Sequence, residues 1–76
     1  MGMSLRDVFA RNLRRLRNAK RVSQEKVAAE AGISREYLGA LERSTYSASI
    51  DVIEKLARAL EVEPVQLFDK SKQVRR

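Results

Sequence analysis

The sequence predicts an all-α fold, a compact set of five helices, on three observations. Only three Gly and one Pro interrupt the 76 residues, while the strong helix formers Ala, Leu, Arg, Glu and Lys recur throughout. Apolar residues return at intervals of three and four, the period of one helix face, instead of alternating as in strands. A serine stands just before each of four such segments, where its side-chain oxygen can accept from the unpaired N–H groups of a helix start.

The first helix covers about residues 4 to 20. Leu5, Val8, Phe9, Leu13 and Leu16 form its apolar stripe, and Arg11, Arg14 and Arg15 are directed elsewhere. Ser4 is placed as its N-cap, with Asp7 three residues on in a capping-box arrangement. Ser23 caps a second helix whose first turn holds Gln24 and Glu25 and whose small apolar face is Val27, Ala28 and Ala31. Gly32 ends it, because glycine takes the left-handed conformation that other residues resist. Ser34 then caps a third helix running to about Arg43, with Tyr37, Leu38 and Leu41 on or near its inner side. After a polar loop from Ser44 to Ser49, Ser49 caps a fourth helix with the stripe Ile50, Ile53, Leu56, Ala57 and Leu60. The segment Val62 to Phe68, with Pro64 in its first turn, reads as a short fifth helix. Residues 1–69 thus form one domain, and the basic stretch 70–76 is expected to be a frayed tail.

Composition narrows the chemistry. With no Cys and no His, the chain lacks disulfides, thiol nucleophiles, the usual zinc ligands and the commonest general base. No metal or cofactor is implied, no small-molecule substrate is evident, and an enzyme is not expected. No apolar run approaches the ~20 residues of a membrane span, and the N-terminus has no secretory core, so a cytoplasmic location is expected. The 16 basic against 10 acidic residues, a net charge of +6, point to a polyanion, either nucleic acid or an anionic membrane surface. That charge is unevenly spread. Residues 1–21 carry seven basic side chains against Asp7 alone, residues 22–69 hold nine acidic against five basic, and residues 70–76 add four basic.

Two short helices joined by a glycine turn, Gln24 to Glu30 and Ser34 to Arg43, have the form of a helix-turn-helix. Counted from Gln24, Ala28 is fifth, Gly32 ninth, Leu38 fifteenth and Leu41 eighteenth. Ala28 lets the two helices cross closely, Gly32 supplies the positive φ of the turn, and the two leucines anchor the second helix. With Val27, Ala31 and Ile33 also apolar, all four requirements are met in register.

The run SQEKVAAEAGISREYLGALER, Ser23 to Arg43, followed by SIDVIEKLARALEV, Ser49 to Val62, resembles the Cro/C1-type (XRE family) helix-turn-helix regulators, from about Leu5 to Phe68. The resemblance implies a five-helix, lambda-repressor-like domain that binds double-stranded DNA as a homodimer, with the third helix in the major groove of a two-fold operator. Small phage repressors, restriction-modification controller proteins and some antitoxins share this pattern. By position, Gln24 matches a glutamine that binds a phosphate, and Arg43 matches a backbone-contacting residue. Ser34, Arg35, Glu36 and Ala40 fall where side chains face base edges, with Tyr37 beside them and its hydroxyl toward the backbone. Arg14, Ser23, Thr45 and Ser47 complete the expected phosphate contacts. Arg17 and Glu42 match a structural ion pair, and Val62, Val65, Leu67 and Phe68 are the expected dimer surface, with packing inside the monomer as their other reading.

Arg35 can give two hydrogen bonds to O6 and N7 of guanine, and Glu36 can accept from the cytosine amino group or instead orient Arg35. Ala40 offers only a methyl for thymine. Gly39 either brings the backbone close to DNA or has no functional cause. Several departures from the family stand out, Ala40 among them, since many relatives carry a longer polar side chain there. Arg21 replaces a common glycine, and Ser44 stands where a glycine often follows the Glu-Arg pair. A protein-interaction module of the antitoxin kind is the alternative function, and a peripheral membrane protein using the basic first helix would leave the helix-turn-helix register unexplained.

Overall fold

The computed structural model describes residues 2–70; the predicted tail beyond Lys70 lies outside the described residues. Four α-helices form: α1 Leu5–Ala19, α2 Gln24–Ala31, α3 Arg35–Glu42 and α4 Ile50–Leu60. The fifth predicted helix is instead a five-residue 3-10 turn, Pro64–Phe68. Its tightness has both local and long-range causes. Pro64 fixes the first residue, and Gln66 Oε1 reaches back to accept from the Glu63 N–H at 2.9 Å. Asn12, fully buried in α1, donates to the carbonyls of Leu67 at 3.0 Å and Asp69 at 3.1 Å. Those carbonyls are met by α1 instead of by a further helical turn.

Each α-helix starts at a serine in extended conformation. Ser4, Ser23, Ser34 and Ser49 accept from the backbone N–H of Asp7, Lys26, Tyr37 and Val52, at 3.0 or 3.1 Å, each bond adding about 1 kcal/mol. The endings are as regular. Gly32 has φ +73°, and three non-glycine residues take the same left-handed region, Arg21 at +59°, Ser44 at +65° and Glu61 at +60°. Arg21 and Ser44 therefore hold a conformation that glycine takes freely, at a local cost of about 1 kcal/mol each.

α2 packs against α4 and α3, while α1 packs against α3 and the 3-10 turn. The core between them is Phe9, Leu13 and Leu16, then Val27, Ala28 and Ala31, then Leu38 and Leu41, then Leu56, Ala57 and Leu60, closed by Leu67. Leu67 is fully buried, which removes it from the expected dimer surface: it is the apolar plug by which the 3-10 turn docks on α1. Phe68 stacks on Phe9 with ring centroids 5.5 Å apart. Val62 is half-buried and only Val65 of the expected four is largely exposed, at 72%. Two stripe residues are corrected as well. Leu5 is 58% and Ile50 80% exposed, because each is the first residue of its helix, one turn short of the packed segment.

Candidate nucleic-acid interface

The site is built outward from Glu42, the last residue of α3 and 4% exposed. Arg17 of α1 meets it with two parallel bonds, Nε to Oε2 at 2.6 Å and Nη2 to Oε1 at 3.1 Å. The remaining Arg17 fork nitrogen donates to the Val22 carbonyl at 2.9 Å. One guanidinium thus joins α1, the α1–α2 corner and the end of α3. The hydrogen bond it donates to Glu42 holds the Arg17 guanidinium pKa above its ordinary value, so the group stays charged. A buried carboxylate with a bidentate partner is compensated, and either partner alone would be a stranded charge.

Glu42 has a third partner. Gln24, the first residue of α2, donates its amide nitrogen to Oε1 at 3.0 Å. Since a carboxylate can only accept, this bond turns the amide oxygen the other way, where it accepts from Arg35 Nη1 at 3.4 Å. The buried ion pair is therefore linked through Gln24 to Arg35, which is exposed in the first turn of α3. Arg35 leans on Gln24, and Glu36 forms no ion pair with it among the described residues; the reading of Glu36 as the residue that orients Arg35 is not the arrangement found. Ser23 and Ser34, both exposed, use their oxygens as cap acceptors and keep their protons to donate.

The loop after α3 is fastened at several points. Ser44 donates to the Asp7 carboxylate, and this bond, with the Ser4 hydroxyl second, holds the Asp7 carboxyl below its ordinary range. Thr45 Oγ1 donates to the Ala40 carbonyl at 3.0 Å, and the Tyr37 hydroxyl donates to the Ser47 carbonyl at 3.3 Å. Ser47 Oγ accepts from Arg6 Nε at 3.2 Å, and Arg14 Nη1 donates to the Glu42 carbonyl at 2.9 Å. These bonds revise the expected phosphate contacts. Thr45 and Tyr37 give their protons to carbonyls of the protein itself and act as struts of the loop, whereas Ser47 retains a proton and Arg14 retains other donors at the α3 terminus.

Ala40 is a clearer correction. It is 5% exposed, buried on the side of α3 that faces the rest of the protein, so its methyl has no access to a base edge. Spacing alone missed three features: the Asp7–Ser44 bond, the Arg6–Ser47 bond and the covering of Gly39 by Arg43. The first two join residues 37 and 41 positions apart, and no local pattern announces such pairs. Among the described residues no cluster of acidic side chains could hold a metal ion, and no helix is long and apolar enough to cross a membrane.

The comparisons with known proteins agree with this fold. The helix-turn-helix family HTH_3 matches residues 13–67. Control protein C.BamHI of Bacillus amyloliquefaciens is 40% identical over 70 residues, 91% of this chain and 86% of that protein. Control protein C.SmaI of Serratia marcescens is 32% identical over 66 residues, covering 87% and 79% of the two chains. Among solved structures, the restriction-modification controller protein C.AhdI from Aeromonas hydrophila superposes with a TM-score of 0.80 at 44% identity, over 83% of this chain and 96% of that one. The hypothetical transcription factor NHTF from Neisseria gives 0.84 at 40% identity, over 90% and 78%.

Proposed function

Because the chain belongs to the helix-turn-helix family HTH_3, it is a DNA-binding transcription regulator and not an enzyme, and we propose that it binds a two-fold operator as a homodimer with α3 in the major groove. The observation that carries this reading is the chain of bonds Arg17–Glu42–Gln24–Arg35. It runs from the interior to an exposed guanidinium at the start of α3, so the donor is pre-aimed without being sequestered. Arg35 is the leading base reader, toward O6 and N7 of guanine, with Glu36 beside it toward a cytosine amino group. Ser34 stands at the same helix start with a free hydroxyl proton.

Phosphates are met by the N-terminus of α2. Its unpaired N–H groups, the Ser23 hydroxyl and the Gln24 amide lie together, and a helix N-terminus favours an anion. Ser47 and Arg14 extend that contact along the loop and α1. The homodimer would close through Val65 with the exposed parts of Val62 and Phe68, a cytoplasmic location following from the DNA target. The controller names of the relatives make regulation of a restriction-modification gene pair the specific role to examine, through the genes adjoining this one.

The decisive experiment is selection of bound sequences from random DNA, followed by binding of Arg35→Ala. A two-fold consensus and relaxed preference at one base pair per half-site are expected. Emergence of no consensus would overturn the reading.

A further inference from the structure

Arg35, Gly39 and Arg43 stand four residues apart on α3 and its C-cap, so they follow one another along a single stripe of the helix. Tyr37 is half-buried, and Leu38, Ala40, Leu41 and Glu42 are buried. The side chains left for α3 and its cap to present outward are those of Arg35, Glu36 and Arg43. Gly39 is itself covered. A Cβ at that position would lie 3.1 Å from Arg43 Nη1 and 3.9 Å from both polar atoms of the Gln24 amide. The Arg43 guanidinium therefore turns back along α3, over the glycine and toward Gln24, instead of extending away from the helix end. It enters no side-chain hydrogen bond or ion pair among the described residues.

We propose that Arg43 is a second base-reading residue, and that Gly39 determines specificity by seating the Arg43 guanidinium on the reading face of α3. The proposal rests on α3 being the groove helix. The fork is folded onto the helix stripe that also carries Arg35 instead of reaching beyond the end of the helix. The guanidinium group is planar, with donors spaced for the O6 and N7 acceptors of guanine. Folded back by one turn, it lies roughly 6 Å along the helix from the level of Arg43. That brings the two guanidiniums onto neighbouring base pairs with Gln24 between them. A Cβ at position 39 would press on the fork at 3.1 Å and shift it slightly, and a longer side chain would displace it, which gives a reason for a glycine in mid-helix despite its poor helix propensity.

The test uses the full chain with the selected consensus duplex and each of its single-base variants, measuring affinity across salt concentrations. Arg43→Gln is expected to lose roughly 5- to 150-fold of discrimination at one base pair, different from the one relaxed by Arg35→Ala. Gly39→Ala should relax the same base pair as Arg43→Gln while its thermal melt stays cooperative. If Arg43→Gln weakens all variants alike and lowers the salt slope by about one unit, Arg43 is a phosphate contact and the proposal fails. Unchanged discrimination in a folded Gly39→Ala overturns the seat, and should that variant not fold, Arg43→Gln, altering an exposed and unpartnered side chain, still decides the base reading. If Arg35→Ala relaxes no position, the groove placement of α3 has failed, and the proposal falls with it.

Discussion

Gln24 and Glu42 are joined by a 3.0 Å hydrogen bond from amide nitrogen to carboxylate, and through it the one buried carboxylate among the described residues orients a side chain on the exposed face. The same carboxylate is paired with Arg17. Fold and candidate site thus share an atom, Glu42 Oε1, which both Arg17 Nη2 and Gln24 Nε2 reach.

Breaking this pair should cost stability unequally from its two sides. Arg17→Ala strands a carboxylate that is 4% exposed, whereas Glu42→Ala leaves a guanidinium that is 14% exposed and can still reach water and the Val22 carbonyl. Losses of about 3 to 5 kcal/mol for Arg17→Ala, and nearer the lower figure for Glu42→Ala, are expected. In a domain of this size about 1 kcal/mol moves the melting temperature by ~4 to 8 °C. Thermal melts followed by circular dichroism measure both, and a shift of under a few degrees in either would show that the pair contributes little.

Relief of the left-handed backbone at the α1–α2 corner should work in the other direction. Arg21 has φ +59° and an exposed side chain, so Arg21→Gly removes strain without removing a buried contact. A gain of about 1 kcal/mol is expected, reduced by the entropy that glycine adds to the unfolded chain. Chemical denaturation compares this variant with Arg21→Ala, which keeps the Cβ and should bring no gain.

Asp7 predicts a pH response. Its folded pKa lies below the ordinary value of 3.8, chiefly through the Ser44 hydroxyl. A carboxyl depressed on folding stabilises the native state above its unfolded pKa, and that contribution is lost as pH falls through the folded value. Ser44→Ala should move the Asp7 titration, followed by carboxyl-carbon NMR, upward toward 3.8. An unmoved midpoint would mean that other groups set it.

A long polar side chain at position 40 should damage the fold instead of altering base preference. Ala40 is 5% exposed, so Ala40→Gln must push a polar group into packed space, at a cost of ~1 to 3 kcal/mol. The variant should melt earlier and, where still folded, select the same DNA consensus. A changed consensus would return position 40 to the reading face.

The proposed dimer surface can be tested by separating exposed from buried residues. Val65→Glu, at a position 72% exposed, should leave a cooperative melt and lower the sedimentation coefficient to that of a monomer. Leu67→Glu, at a fully buried position, should unfold the domain. A dimer that survives Val65→Glu puts the interface elsewhere on the molecule.

Much of this protein was decided within short stretches of sequence. Four serine caps and a glycine at position 32 act through bonds spanning three to five residues, so helix starts and the helix-turn-helix register follow from the chain alone. Periodicity also indicates which face of each helix is apolar, since that depends only on helical geometry. It does not say what will lie opposite. Leu5 and Ile50 keep the period yet lie outside the core, while Leu67 and Ala40, expected at a partner and at a base, are buried within it. Whether the last five-residue element became an α-helix or a 3-10 turn depended on Asn12, which meets its carbonyls from 55 and 57 positions away. The fork of Arg43 over Gly39 and the proton directions of Thr45 and Tyr37 likewise belong to the packed molecule. Local hydrogen bonding fixes where helices begin, but burial and the partner of each polar group are properties of surfaces brought together from distant parts of the chain, and only the tertiary structure brings them together.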